Sequence, residues 1–359
     1  MTMEISERNK VIRQLLWSLA IYALPIALML ATFSLTGQRP WATSLPVQAP
    51  ALLTPLHKFL KEYWTGLFIL ALGIVEFIAG LYESRWTKNE RFLDIACFAI
   101  PYVTVKPLTF YFSLKALPFL LPGLRNTLAW VPFGWGLLII CIADDLTQYW
   151  YHRLHHQVPW LWRFHRTHHS ASYMGMAMAS RQNLIYTIFF SQIYLTAALS
   201  YLGLARQALM VLTIKSVITI LAHSAIPWDK PFYKYKVLHP VAWVLERFIS
   251  TPATHHAHHA ATTDDGVGYY KGNFGNMFLL WDVLFGTALI SRKYPESYGI
   301  SHYEGDPWQA QFLWPILKSN IAGSELAADG PAVREDVPPA PSNDRPKQPG
   351  GSLAPTYGD

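Results

Sequence analysis

The chain has 359 residues, of which 52% are hydrophobic and only 14% charged, with a net charge of +6. Soluble domains carry roughly 25% charged residues, so the composition favours a membrane protein over a soluble globular one. Lys and Arg are scattered over short loops, not gathered into a basic stripe, which argues against nucleic-acid binding and for loops that face anionic lipid or cytoplasm.

In chain order, residues 1–13 are polar and basic, and an apolar run follows at 15–35. About twenty residues at ~1.5 Å each cross a hydrocarbon core. A signal peptide would have an apolar region of only ~7–15 residues and a small-residue cleavage site, so a retained span is expected. A second span is expected at 64–82. It carries Glu76, whose cost in lipid is bearable only if it faces the bundle interior. Residues 92–121 are apolar but interrupted by Pro101, Pro107 and Pro118. Because proline removes a helix donor, they are expected to form one broken or re-entrant span.

The next span, 127–143, runs directly into a histidine-rich stretch. Beyond it, 184–204 and 208–222 read as a helical hairpin with a short second arm. Residues 227–254 are mixed aromatic and basic, too polar to span, and 277–289 are apolar but too short. From 322 onward, Pro, Ala, Gly and charge predict a disordered tail. Cys97 and Cys141 both lie inside apolar runs. They read as small buried hydrophobes, with no disulfide framework and no CxxC metal site. The fold class expected is all-α, a polytopic integral membrane bundle.

Six histidines fall between His152 and His169, and four more between His255 and His259, ten of the fourteen in the chain. His152 and His156 are four apart, so on a helix continuing from 127–143 they share a face. His165, His168 and His169 have i, i+3, i+4 spacing, and His255, His258 and His259 repeat it. With His223 at the end of the hairpin, these supply nine imidazoles, too many for one ion and suited to two. A lone histidine is usually an ordinary core or surface residue, and a His-rich tract can bind metal loosely. The regular spacing argues against both. His155 and His256 fall off the shared faces, and nothing singles out His57 or His302. With the N-terminus in the cytoplasm, four spans and the hairpin deliver both clusters and His223 to the face that carries the basic loop 83–91. The positive-inside rule makes that face cytoplasmic.

The stretches HRLHH (152–156), WRFHRTHH (162–169) and TPATHHAHH (251–259) resemble the three histidine boxes of the membrane fatty acid hydroxylase and sterol desaturase superfamily. The flanking residues are similar too: Asp145, Tyr149-Trp150, Ser170, His223-Ser224, Thr251-Pro252, NFGN at 273–276 and LWDVLFGT at 280–287. The resemblance covers roughly 135–290. HSAIP (223–227) and LERFISTPATHHAHH (245–259) look like the ether-lipid-cleaving alkylglycerol monooxygenases and their bacterial relatives. The segment between His223 and His255 is longer than is usual in the superfamily, which brings His239 in as a candidate tenth ligand, with His223 preferred.

The resemblance implies N-terminal spans over 1–126, a catalytic domain over 127–292, a C-terminal extension over 293–321 and the tail 322–359. It implies two Fe ions held by His152, His156, His165, His168, His169, His223, His255, His258 and His259, and O₂-dependent hydroxylation of a fatty acyl, sterol or ether lipid. Electrons would come from a separate donor, either tetrahydropterin or a redox protein, since no cytochrome b5-like stretch is present. Asp145 and Glu246 are expected to accept N–H bonds from ligating histidines; the alternative for each is an ordinary helix-end charge. Trp150, Tyr151, Trp160 and Trp162 are expected in an interfacial belt. Two other readings are a sterol-type desaturase, which the boxes do not separate from a hydroxylase, and a non-enzymatic membrane metal carrier. The carrier would want acidic or Met ligands along a transmembrane path, where the sequence offers only Glu76.

Overall fold

The computed structural model describes residues 71, 73–76, 78, 87–301, 303, 305–328 and 330. The expected span at 15–35, most of that at 64–82, His57, His302 and the chain beyond 330 lie outside the described residues. What is described is helical, with isolated bridges but no named strand.

Helix α1 (Lys88–Ile100) starts at Thr87, whose hydroxyl accepts from the Glu90 amide. It passes without a break through one π turn, Pro101–Val105, into α2 (Lys106–Leu120). The broken or re-entrant span expected at 92–121 is therefore corrected to one continuous run of 33 residues. The wider π turn absorbs the hydrogen bond that Pro101 cannot make. Pro107 lies in the first turn of α2, and Pro118 lies close to its end.

Helix α3 (Phe133–Gln157) contains no proline and runs unbroken for 25 residues. It starts six residues later than the expected span. It ends at Val158, which is extended because Pro159 follows. Pro159 then opens α4 (Pro159–His169) at a position where its missing N–H costs nothing. A short α5 (Leu184–Ile188), capped by the Asn183 side chain, leads to α6 (Ser191–Leu199). A π turn at Ser200–Leu204 joins it to α7 (Ala205–His223). Gly203 in that turn has φ 104°, and a Cβ there would sit 3.0 Å from Ala129.

This glycine closes the expected hairpin. Gln192 on α6 and Lys215 on α7 both bond to Asp144 of α3, so the two arms pass the same level in opposite directions. The second arm is not short: α7 has 19 residues. The Asn126 and Leu128 amides donate to the Tyr201 and Leu202 carbonyls, so the 121–132 and 200–204 reversals lie together at one end. At ~1.5 Å per residue, α3 and α7 carry His152 and His223 about 28 Å away from that end. The continuous run Lys88–Leu120 and the folded-back stretch Leu184–His223 have the length and apolar character of membrane-crossing segments.

The rest is a cap of short helices: α8 (Lys230–Lys234), α9 (His239–Phe248), α10 (Pro252–His258), α11 (Leu280–Phe285) and α12 (Trp308–Leu313). The described part of the tail expected from 322, residues 322–328 and 330, packs on the fold instead. Leu326 is fully buried, and Glu325 pairs with Arg166 of α4 at 2.9 Å.

Candidate metal centre

Nine histidines converge where four helices end. His152 and His156 occupy the last turns of α3; His165, His168 and His169 the end of α4. His223 is the last residue of α7, and His255, His258 and His259 lie at the end of α10. A helix C-terminus carries roughly half a negative charge from its unpaired carbonyls. Four such ends aimed at one place create a field that favours cations. The local sequence explains the placement. Pro159 and Pro252 each occupy a first-turn position, and a Thr251–Thr254 capping box fixes the entry to α10.

The imidazoles sort into two groups. His152, His156, His165, His169 and His258 form the first, and His168, His223, His255 and His259 the second. Within each, one nitrogen per ring lies within 4.8 Å of all the others. The His169 and His259 rings stack at 4.2 Å across the divide, so the groups adjoin.

Hydrogen bonds fix several tautomers. His152 Nδ1 lies 2.7 Å from the Phe274 carbonyl and His258 Nδ1 2.7 Å from that of Gly272. His223 Nδ1 lies 2.7 Å from the Thr219 carbonyl, and His168 Nδ1 3.3 Å from that of Arg181. A carbonyl only accepts, so each Nδ1 carries the proton and each Nε2 presents a lone pair. Yet His152 Nε2 faces His258 Nε2 at 3.1 Å, and His168 Nε2 faces His223 Nε2 at 3.2 Å. Lone pairs pointed at each other repel unless a cation lies between them. Two imidazoles bound at right angles to one divalent transition ion at about 2.1 Å would sit about 3.0 Å apart. The residues present therefore fit one metal ion in each group.

Burial keeps these rings neutral. Desolvation, then mutual repulsion, holds His156, His165, His168, His169, His255, His258 and His259 well below the ordinary imidazole value. Burial takes His152 down to about 4, against an opposing hydrogen bond to Phe274. Neutral imidazole is the ligating form.

The expected roles of Asp145 and Glu246 are corrected. Asp145 accepts from the Phe278 amide at 2.9 Å and the Trp281 indole at 3.1 Å. Glu246 is clamped by Arg292 at 2.7 and 2.9 Å and by Arg247 at 2.9 Å. Neither bonds a histidine; main-chain carbonyls hold the ring N–H of His152, His168, His223 and His258 instead. The groups missed by sequence reasoning are those that hold these carbonyls. Asp282 accepts from the Phe274 and Gly275 amides at 2.9 and 2.6 Å. The Asn273 side chain donates to the Thr254 and Leu289 carbonyls. NFGN and LWDVLFGT marked the segments but not these bonds. Arg181, fully buried, donates to the Thr167 carbonyl and pairs with Glu90 and Asp94. It thereby holds α4 beside the carbonyl that meets His168.

The histidines set aside remain outside both groups. His155 bonds the Tyr151 carbonyl, His256 the Ser224 carbonyl and Tyr298, and His239 the Tyr233 carbonyl. Trp150 and Trp160 are exposed, as a belt requires. Trp162 is not part of one: it packs against His156 and His169 and donates to Glu325.

The segment that builds this centre matches a known family: residues 137–287 fit the fatty acid hydroxylase family model. By this match the segment resembles the fatty acid hydroxylase family. Named proteins similar to it include alkylglycerol monooxygenase of Danio rerio, 28% identical over 50% of this chain and 37% of that protein. Cholesterol 25-hydroxylase of Mus musculus is 29% identical over 45% of this chain and 49% of its own. Ornithine lipid hydroxylase OlsE of Rhizobium tropici is 27% identical over 57% and 60%. The chain thus spans less than two thirds of these fatty acid hydroxylase relatives. No solved structure matches the chain.

Proposed function

We propose that the chain is a membrane-bound, non-haem di-iron oxygenase that hydroxylates a lipid with O₂. The observation that carries this reading is the pair of facing lone pairs, His152 with His258 and His168 with His223, one in each imidazole group. The first group would hold one ion through His152, His156, His165, His169 and His258, the second through His168, His223, His255 and His259. The five imidazoles of the first group exceed the four of a closed tetrahedral zinc site, and iron is among the metals that imidazole suits. Bound there, iron would supply the electrons that activate O₂ for insertion into an unreactive C–H bond.

The protein's own part is orientation and exclusion. Carbonyls of Phe274, Gly272, Thr219 and Arg181 hold four rings with Nε2 inward. Eight of the nine rings are nearly inaccessible to solvent, and His156 is partly so, which keeps bulk water off the reacting positions. The bundle is read as multi-pass with this end at the cytoplasmic face. A lipid would keep its polar end in water and feed its apolar part toward the metals. Electrons would arrive from a separate donor, tetrahydropterin or a redox protein.

Membranes containing the chain, supplied with lipid extract, reductant and ¹⁸O₂, should yield a lipid product heavier by one labelled oxygen. A product lighter by two hydrogens would move the reading to a desaturase. No product with two irons bound per chain would overturn the enzyme reading.

A further inference from the structure

Outside the metal centre, the most distinctive surface is the segment between His223 and His255. Helix α9 buries Ala242 and Glu246 on one side. Its other side exposes Val241, Val244 and Phe248 at half or nearly half of their surface, with Trp243 at 55%. Val241, Val244 and Phe248 follow the i, i+3, i+7 stripe and line one open groove with Pro240 and Leu245.

Charge says what covers this stripe. Lys230, Lys234, Lys236 and Arg247 flank it, while the only acid between 230 and 250, Glu246, is buried against Arg292 and Arg247. The exposed surface is therefore apolar and basic with no exposed acid. Position agrees: α9 packs on α11, whose Phe285 stacks on Tyr149 of α3 at 5.2 Å and lies 5.4 Å from Trp150. An apolar stripe with a tryptophan and a basic rim is how a helix lies in a bilayer interface.

We propose that α9 is an in-plane helix embedded in the headgroup region of an anionic bilayer, with Val241, Val244 and Phe248 in the acyl boundary and Lys234 and Lys236 among the phosphates. Three residues later the chain enters α10, so the bilayer itself helps to seat the third histidine box. This inference rests on the membrane reading above, and its test separates the two.

Spin labels are placed one at a time by V241C, V244C and F248C in the full chain, in a C97A/C141A background that keeps its metal. The chain is reconstituted in nanodiscs of phosphatidylcholine and phosphatidylglycerol. Collision with O₂ should exceed collision with a water-soluble nickel chelate at all three sites, and the reverse should hold for K236C. Chelate-dominated labels at 241, 244 and 248 would overturn the proposal, as would labels reached by neither, which would mean a protein partner. Replacing phosphatidylglycerol with phosphatidylcholine should make the three labels shallower; unchanged depth would overturn the anionic-lipid half. F112C on α2 is the control. If it too is chelate-dominated, the membrane reading fails, not only the placement of α9.

Discussion

His152 and His258 present their Nε2 atoms to each other at 3.1 Å while each gives its Nδ1 proton to a carbonyl of the same short loop. The loop runs from Gly272 to Phe274, so one piece of main chain sets the tautomer of a histidine on α3 and of another on α10. The two imidazoles cannot bond each other, and the geometry is stable only around a cation.

Removing one ring from each group should act independently on metal content. His258→Ala is expected to lower bound iron from about two per chain to about one, and His168→Ala to do the same from the other group. Either should abolish turnover, since the proposed reaction uses both metals. Metal analysis by mass spectrometry on protein purified in iron checks the count. His155→Gln, outside both groups, should keep both metals.

The Gly272 carbonyl can be displaced without touching a ligand. A Cβ on Gly272 would meet the Thr287 carbonyl at 2.2 Å and the Tyr269 ring at 2.1 Å. Gly272→Ala should therefore push the loop off His258 and weaken the first group only, leaving about one iron per chain. Asp282→Asn, which loosens the amides of Phe274 and Gly275, should lower metal affinity roughly 10–100-fold, the usual cost of losing a partner that orients a ligand. Chelator competition measures both.

Proton release tests the electrostatics. Unperturbed imidazoles with pKa near 6.5 would be about one quarter protonated at pH 7, so nine of them would shed about two protons on binding metal. Burial lowers these pKa values, to about 4 for His152, so the rings are already neutral and release should be near zero. The sign for stability follows. The unfolded chain binds more protons than the metal-free fold between about pH 4 and 6.5, so the metal-free fold should lose stability as pH falls through that window. Calorimetric titration in buffers of different ionisation enthalpy reads the first effect, thermal unfolding against pH the second.

Lys215 and Asp144 form a buried ion pair at 2.6 Å between α7 and α3, with Gln192 on the same carboxylate. Breaking one side leaves a buried charge and should cost about 3–5 kcal/mol. Lys215→Met should thus unfold in detergent far more readily than the wild type. The double variant Lys215→Met with Asp144→Leu should recover only part of the loss, because the buried Asp145 carboxylate, 3.9 Å from the Lys215 ammonium, still loses that cation.

The sequence displayed the ligands but not their supports. Spacing of three and four along helices brought His165, His168 and His169 to one face before any coordinates, and the hairpin delivered His223 to the same end. Asp145 and Glu246 were misread because a carboxylate near a histidine in sequence says nothing about competing acceptors. Here the ring protons of His152, His168, His223 and His258 go to carbonyls, which carry no side-chain signal. Proline was over-read at Pro101, where a π turn lets the helix continue. The tail was over-read at Leu326 and Glu325, whose burial depends on α4 and is not visible in local composition.

The Lys215–Asp144 pair also has a metric consequence. Asp144 precedes His152 by eight residues on α3, and Lys215 precedes His223 by eight on α7. The pair therefore acts as a common datum from which both helices measure the same distance to the metals. A one-residue insertion above the datum in either helix would rotate its histidine by about 100° and lift it ~1.5 Å, detuning one group against the other. Chains that keep this pair have only one free length to vary, the part below it, toward the reversals. There, extra turns would change the thickness of membrane crossed and leave the chemistry where it is.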